Sequence, residues 1–271
     1  FEERLPYAIG ATEAVRRRNL LRVLLRGAYQ STLTLSMHTV HDEPKTVVVP
    51  RRIPSAQVAR FPEPRPAAAI HPLADQIIYV DLTRITRQEF TAALPRLSRS
   101  PGLILDLRGW TRVVNHALEA TLSHLTPVPI ECPYTLRASI TLPDGQQTEY
   151  DYNQGTLLPR DPTLMSRVAC LVDERTVSET ENFCAVFREY RMGAIIGNTT
   201  GGTCGVVDQF TLFDTYDVTW TAQRVHLYND EPLHAVGISP TISIQRTLNG
   251  VMNNQDDVLN AAITWIEKGL R

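Results

Sequence analysis

LVDERTVSETENFCAVFREYRMGAIIGNTTGGTCG, residues 171–205, reads as the end of a buried strand, a sharp turn carrying Ser178, a helix, a second buried strand and a glycine-rich loop. A strand that turns straight into a helix exposes one serine at the helix N-terminus. Unpaired N–H groups of the first turn, with the positive end of the helix dipole, are what an acyl-transfer oxyanion needs beside an attacking hydroxyl. The same residues carry a plainer reading. Ser178-Glu179-Thr180-Glu181 fits the S-x-x-E capping box, in which the serine oxygen accepts from the N3 amide and the glutamate reaches back to the Ncap amide. On spacing alone the cap is the commoner arrangement, because capping boxes are frequent and nucleophilic serines are rare.

Outward from this stretch, strands and helices alternate. IIYVDL from Ile77, a helix over Arg87 to Ser98, the strand LILDL, a helix over His116 to His124, then VACLV, a helix and AIIG predict an α/β fold with a mainly parallel sheet covered on both faces. Tyr134 to Tyr152 alternates around Pro143-Asp144-Gly145 and predicts an antiparallel hairpin, residues 206–228 add further strand, and Asp256 to Lys268 predicts a closing helix. Toward the N-terminus, residues 12–26 carry apolar side chains at helical spacing and stop at Gly27. Two strand-like runs follow, Thr32 to His38 and Thr46 to Pro50. The five prolines between Arg51 and Pro72 mark a linker. The expected organisation is therefore a small N-terminal α+β unit over residues 1–55, a linker over 56–74, and a larger domain over 75–271.

Composition narrows the partners. The 271 residues are 43% hydrophobic with a formal net charge of -2, and charges of both signs are mixed along the chain. This offers no basic stripe for nucleic acid and no polybasic segment for an anionic membrane, and the apolar runs are too short to span a bilayer. The four cysteines show no C-x-x-C pair and read as free thiols. Lys45 and Lys268 are the only lysines, so nearly all positive charge is arginine, which cannot serve as a base at neutral pH. His38 and His41 read as hairpin decoration, and His116 and His124, eight residues apart, as packed or solvated helix positions rather than metal ligands. The chain starts at Phe1 without an initiator methionine or signal peptide, as expected of a processed product or a piece of a longer protein.

The succession GLILDLRG (Gly102 to Gly109), VACLVDERTVSETE (Val168 to Glu181), IIGNTTGG (Ile195 to Gly202) and VGISPTISI (Val236 to Ile244), closed by DDVLNAAITWI, resembles the S41 peptidases, the family of C-terminal processing proteases and tricorn protease. The likeness runs in order over about residues 75–271. It implies a ClpP/crotonase-like catalytic domain, with the N-terminal unit as the end of a PDZ-like segment and Ser178 as the nucleophile. By the same likeness the amides of Glu179 and Gly109 are the oxyanion donors. Processing proteases pair their serine with a lysine in the loop after the next strand, where this chain has Thr203, and a threonine hydroxyl is no base near neutral pH. Tricorn-like members use a histidine from a segment ahead of the PDZ-like region, which places the base outside the sequence in hand. His234 falls about where those enzymes carry a glutamate that tunes the site, and its imidazole is a candidate base or orienter. Trp110-Thr111-Arg112 stand where active relatives have glycines, so the cleft is expected to be narrowed there or the path of the loop changed. Asp106 and Arg108 read as an ion-paired brace for that loop.

A peptide or protein substrate follows from the resemblance, as does a bacterial extracytoplasmic location, and no metal or organic cofactor is implied. An oligomer is compatible with the sequence. A second reading stays open: a non-catalytic ligand- or peptide-binding module on the same fold, as in retinoid-binding relatives. A third has the PDZ-like piece capture a peptide strand by edge addition.

Overall fold

In the computed structural model, the apolar runs become adjacent strands of one sheet because each is buried on both faces. The structure describes residues 2–39, 41–54, 64–73, 76–109, 117–140 and 148–270. Helix α1 (Glu13–Leu24) starts at Thr12, whose side chain accepts from the Val15 amide, and is followed by the antiparallel hairpin β1 (Thr32–His38) and β2 (Pro44–Pro50). The central domain opens with β3 (Ile70–Pro72), β4 (Ile78–Asp81), α2 (Arg87–Leu97), β5 (Gly102–Asp106) and α3 (Ala117–Leu125). Next come β6 (Ile130–Glu131), β7 (Tyr134–Ile140), β8 (Thr148–Asn153) and β9 (Thr156–Leu157). The stretch that decides the fold supplies β10 (Arg167–Val172), α4 (Glu179–Glu189) and β11 (Ala194–Gly197). The rest comprises β12 (Val207–Leu212), β13 (Tyr216–Thr221), β14 (Gln223–His226), β15 (Ile242–Ser243), α5 (Leu248–Met252) and α6 (Asp257–Leu270).

The main sheet has the order β15-β11-β10-β5-β4-β3, with every neighbouring pair parallel except β3 against β4. Successive strand residues point to opposite faces. Val80, Leu103, Leu105, Val168 and Cys170 therefore pack on the side of α2, α3 and α4, while Tyr79, Ile104, Ala169, Leu171 and Ile196 pack under α6. Helix α6 lies close because Gly102 has no side chain: a Cβ there would come within 2.5 Å of Ile266 Cγ2. Smaller antiparallel pieces flank the sheet, namely β14-β7-β8, β12-β13 and β6-β9.

The expected linker is corrected at its end. Ile70–Pro72 is an edge strand of the main sheet, a position that tolerates Pro72 because an edge strand need not donate on its outer side. Arg65 reaches back from the same stretch to Asp81 and to the Arg108 carbonyl. The Pro143-Asp144-Gly145 turn, Trp110 to His116 and residues 55–63 lie outside the described residues.

Ile266, fully buried beneath the sheet, provides a test of this packing. Ile266→Ala is expected to cost about 2–5 kcal/mol through lost burial and the cavity left behind, read as a lower urea midpoint at unchanged slope.

Candidate active site

Parallel strands bring their carboxyl ends to one edge. The register sets Asp81 opposite Asp106, Asp106 opposite Leu171, and Val172 opposite Gly197, so the loops leaving β4, β5, β10 and β11 share that edge, where open α/β sheets form their binding crevices. Ser178 stands there at the start of α4.

The Ser178 backbone has φ 62° and ψ −128°. A side-chain-bearing residue avoids this conformation, which costs about 1–3 kcal/mol and persists only where neighbours impose it. Here the neighbours are explicit. The Ser178 N–H donates to Thr203 O at 2.7 Å, and the Ser178 carbonyl accepts from the Glu181 amide at 2.8 Å and from the Cys204 thiol at 3.3 Å. Two residues earlier, the Thr176 hydroxyl donates to Leu107 O at 2.9 Å. That bond ties the turn to the end of β5 and to Gly109, whose φ of 129° suits glycine.

The capping box is corrected. A serine that caps through its side chain has extended backbone angles; at positive φ the Ser178 side chain makes no cap bond. Glu181, fully buried, turns instead to the glycine loop, accepting from the Thr200 hydroxyl and from the Gly202 and Thr203 amides, each amide at 2.8 Å. Burial pushes its carboxyl above the ordinary glutamate value, and these three donors, together with the Ser178 backbone, oppose that rise. The Thr200 hydroxyl also accepts from Ile238 N at 2.7 Å, so the Gly237-Ile238 segment joins the same assembly. Sequence reading missed this arrangement, since its donors lie 19–22 residues from Glu181.

The end of β5 is held by charge. Arg108 donates to Asp106 at 2.7 Å and, through both terminal nitrogens, to Asp256 at 2.9 and 2.7 Å. Tyr79 donates to Asp106 at 2.7 Å. Burial works against each charge, yet the Asp106 and Asp256 partners hold the Arg108 pKa well above the ordinary value, and Arg108 and Arg65 hold Asp106 below its own. The brace expected from Asp106 and Arg108 is present, with Asp256, at the start of α6, as a partner that sequence proximity could not reveal. In the turn itself, burial pushes the Asp173 carboxyl up to about 7 and Glu174 adds to this, while the Arg175 amide, Arg108 and the Arg175 guanidinium, which donates to the carboxylate at 2.9 Å, oppose it.

Of the four candidate site residues, Ser178 and Glu179 are adjacent at the N-terminus of α4, and Gly109 follows the strand end that Thr176 holds. His234 precedes Ala235, whose amide donates to Gly202 O at 3.0 Å. Its own Nε2 accepts from the Val225 amide at 3.1 Å, and burial lowers its pKa. That lone pair is engaged in holding β14. His124 is buried and bonded through Nδ1 to Pro162 O, and His38 pairs with Asp42 in the N-terminal hairpin. All four thiols are free. Among the described residues no cluster of three or more His, Cys, Asp or Glu side chains could hold a metal ion, and no helix is long and apolar enough to cross a membrane.

The model of peptidase family S41 matches residues 76–244, more than half of the sequence and the whole of the sheet edge just described. The chain belongs to peptidase family S41. Among solved structures, S41-like folds align across it. A peptidase-like protein from Parabacteroides merdae ATCC 43184 matches at 22% identity and a TM-score of 0.62, over 74% of this chain and 65% of that one. Mature CPAF complexed with lactacystin matches at 14% identity and a TM-score of 0.70, over 98% of this chain and 74% of its own. These likenesses establish the fold. No curated protein sequence matches the chain.

Two substitutions probe the S41 site without touching Ser178. Glu181→Ala orphans three donors and is expected to cost about 1–3 kcal/mol for each that stays buried, measured by urea denaturation. Asp173 binds its proton more tightly folded than unfolded. Its contribution to stability is fully present below the unfolded value of 3.8 and is lost as pH rises through about 7. Asp173→Asn should flatten that part of the stability–pH curve.

Proposed function

We propose that this chain is the catalytic domain of a serine-type S41 peptidase, with Ser178 as the nucleophile. The observation that carries the reading is the Ser178 turn: a strained, half-buried serine at a helix N-terminus whose Oγ has no hydrogen-bond partner among the described residues. A serine kept only as a cap would relax to extended angles and bond its own helix. Strain maintained by surrounding bonds is what a pre-positioned attacking group requires.

In this reading Ser178 Oγ attacks the carbonyl carbon of a peptide substrate and its proton passes to a general base. The carbonyl oxygen becomes an oxyanion that accepts from the amides of Glu179 and Gly109, neither of which donates elsewhere among the described residues. Collapse breaks the C–N bond, the amine leaves with the proton from the base, and water then hydrolyses the acyl ester on Ser178. The base is not supplied by the groups nearby. Glu181 is engaged by three donors, His234 by the Val225 amide, and the Thr203 hydroxyl is no base near neutral pH. Lys45 lies in the N-terminal hairpin, and Lys268 lies in the last turn of α6, which packs beneath the sheet. We assign the role to an imidazole brought to Ser178 by a segment outside the described residues.

A fluorophosphonate should label Ser178 in the full-length protein, with the label lost in Ser178→Ala and retained in His234→Gln. The labelling rate should rise with pH through about 6.5, the ordinary imidazole value. Absence of label at any pH would remove Ser178 as the nucleophile, and loss of label in His234→Gln would return the base to that residue.

A further inference from the structure

Next to the nucleophile, between α3 and α4, lies a pocket of about 180 Å³. Its walls are Leu118 and Leu122 from α3, Phe183 and Val186 from α4, and Leu157, with Cys132 at one side. Glu179, the residue after Ser178, also lines it, so the pocket begins one residue from the attacking oxygen. Sites that enclose a drug-sized ligand run to about 300–1,000 Å³, and this one is smaller, suited to a single amino-acid side chain.

The chemistry of the lining is asymmetric. Apolar walls accept a hydrocarbon stem, while the charged groups that line the pocket among the described residues are two carboxylates, Glu119 and Glu179. Both are exposed, and among the described residues neither has an ion-pair or hydrogen-bond partner. Cys132 records the same field: after burial, the charges of Glu131 and Glu119 raise its pKa. Among the described residues no lysine, arginine or histidine lines the pocket to neutralise the pair.

We propose that this pocket takes the substrate side chain on the acyl side of the scissile bond and selects an arginine or lysine, with the stem against Leu118, Leu122 and Phe183 and the cation at Glu119 and Glu179. The assignment to the acyl side rests on Ser178 as nucleophile; the selection of a cation rests on the lining. A leucine would fill the apolar part and leave both carboxylates unpaired. A glutamate would be repelled.

The test uses the full-length protein and three acetylated peptide amides that differ at one residue: arginine, its neutral isostere citrulline, and leucine. Binding is followed by fluorescence polarisation on Ser178→Ala, and cleavage on the unsubstituted enzyme. Arginine should be preferred over citrulline by about two- to fivefold at low salt, within the range expected of solvent-exposed charge pairs, and the preference should shrink as salt is added. Glu119→Gln should weaken the arginine preference over citrulline, and Glu119→Arg should turn selection toward a glutamate-bearing peptide. Equal binding and cleavage of arginine and citrulline would overturn the proposal while leaving Ser178 in place. An arginine preference in binding, with no cleavage and no fluorophosphonate label, would support the selectivity of the pocket and remove the nucleophile.

Discussion

The carboxylate of Glu181, buried beneath the first turn of α4, is the constraint on which the rest of the site depends. It draws Thr200, Gly202 and Thr203 onto the helix that follows Ser178. With the loop held there, the Thr203 carbonyl meets the Ser178 amide and fixes the turn in a conformation the serine would not choose. An isolated carboxylate in this position would be costly, and three donors offset most of the desolvation. Buried polar groups so fully satisfied favour one arrangement of the chain over its near alternatives.

A second polar assembly acts from the other side. Arg108 between Asp106 and Asp256 sets the end of β5, and Thr176 transmits that position to the turn. The two halves of the oxyanion reading, Glu179 on α4 and Gly109 after β5, thus belong to separately anchored pieces that the Thr176 hydroxyl helps to join. Arginine suits such a place: it stays charged at any physiological pH and bonds two carboxylates at once through its planar fork.

Much of the fold was legible because buried parallel strands leave continuous apolar runs. Ile78–Asp81 and Ala194–Gly197 fall within the runs read as strands, and Gly102–Asp106 and Arg167–Val172 start one residue ahead of theirs. Ile70–Pro72 was hidden among prolines, which signal a linker until an edge position is known. The position of Ser178 at a strand-to-helix turn was also readable. Its partners were not, because spacing reports local neighbours, whereas Glu181 bonds across 19–22 residues and Arg108 across 148. The capping box failed for that reason: the tertiary donors outcompeted the local one. His234 likewise has a definite bond that only the approach of β14 creates.

The span of the Arg108–Asp256 pair also bears on the order in which the site forms. Asp256 sits at the start of the last helix, and Leu259 caps onto it as that helix winds. A chain emerging from the ribosome therefore has Ser178, its helix and its glycine loop before it has the carboxylate that completes the Arg108 brace. Closing so large a loop has an entropic cost, which the docking of α6 must offset. The end of β5 has its full set of partners only with α6 docked, so the geometry beside Ser178 is coupled to the cover on the second face of the sheet.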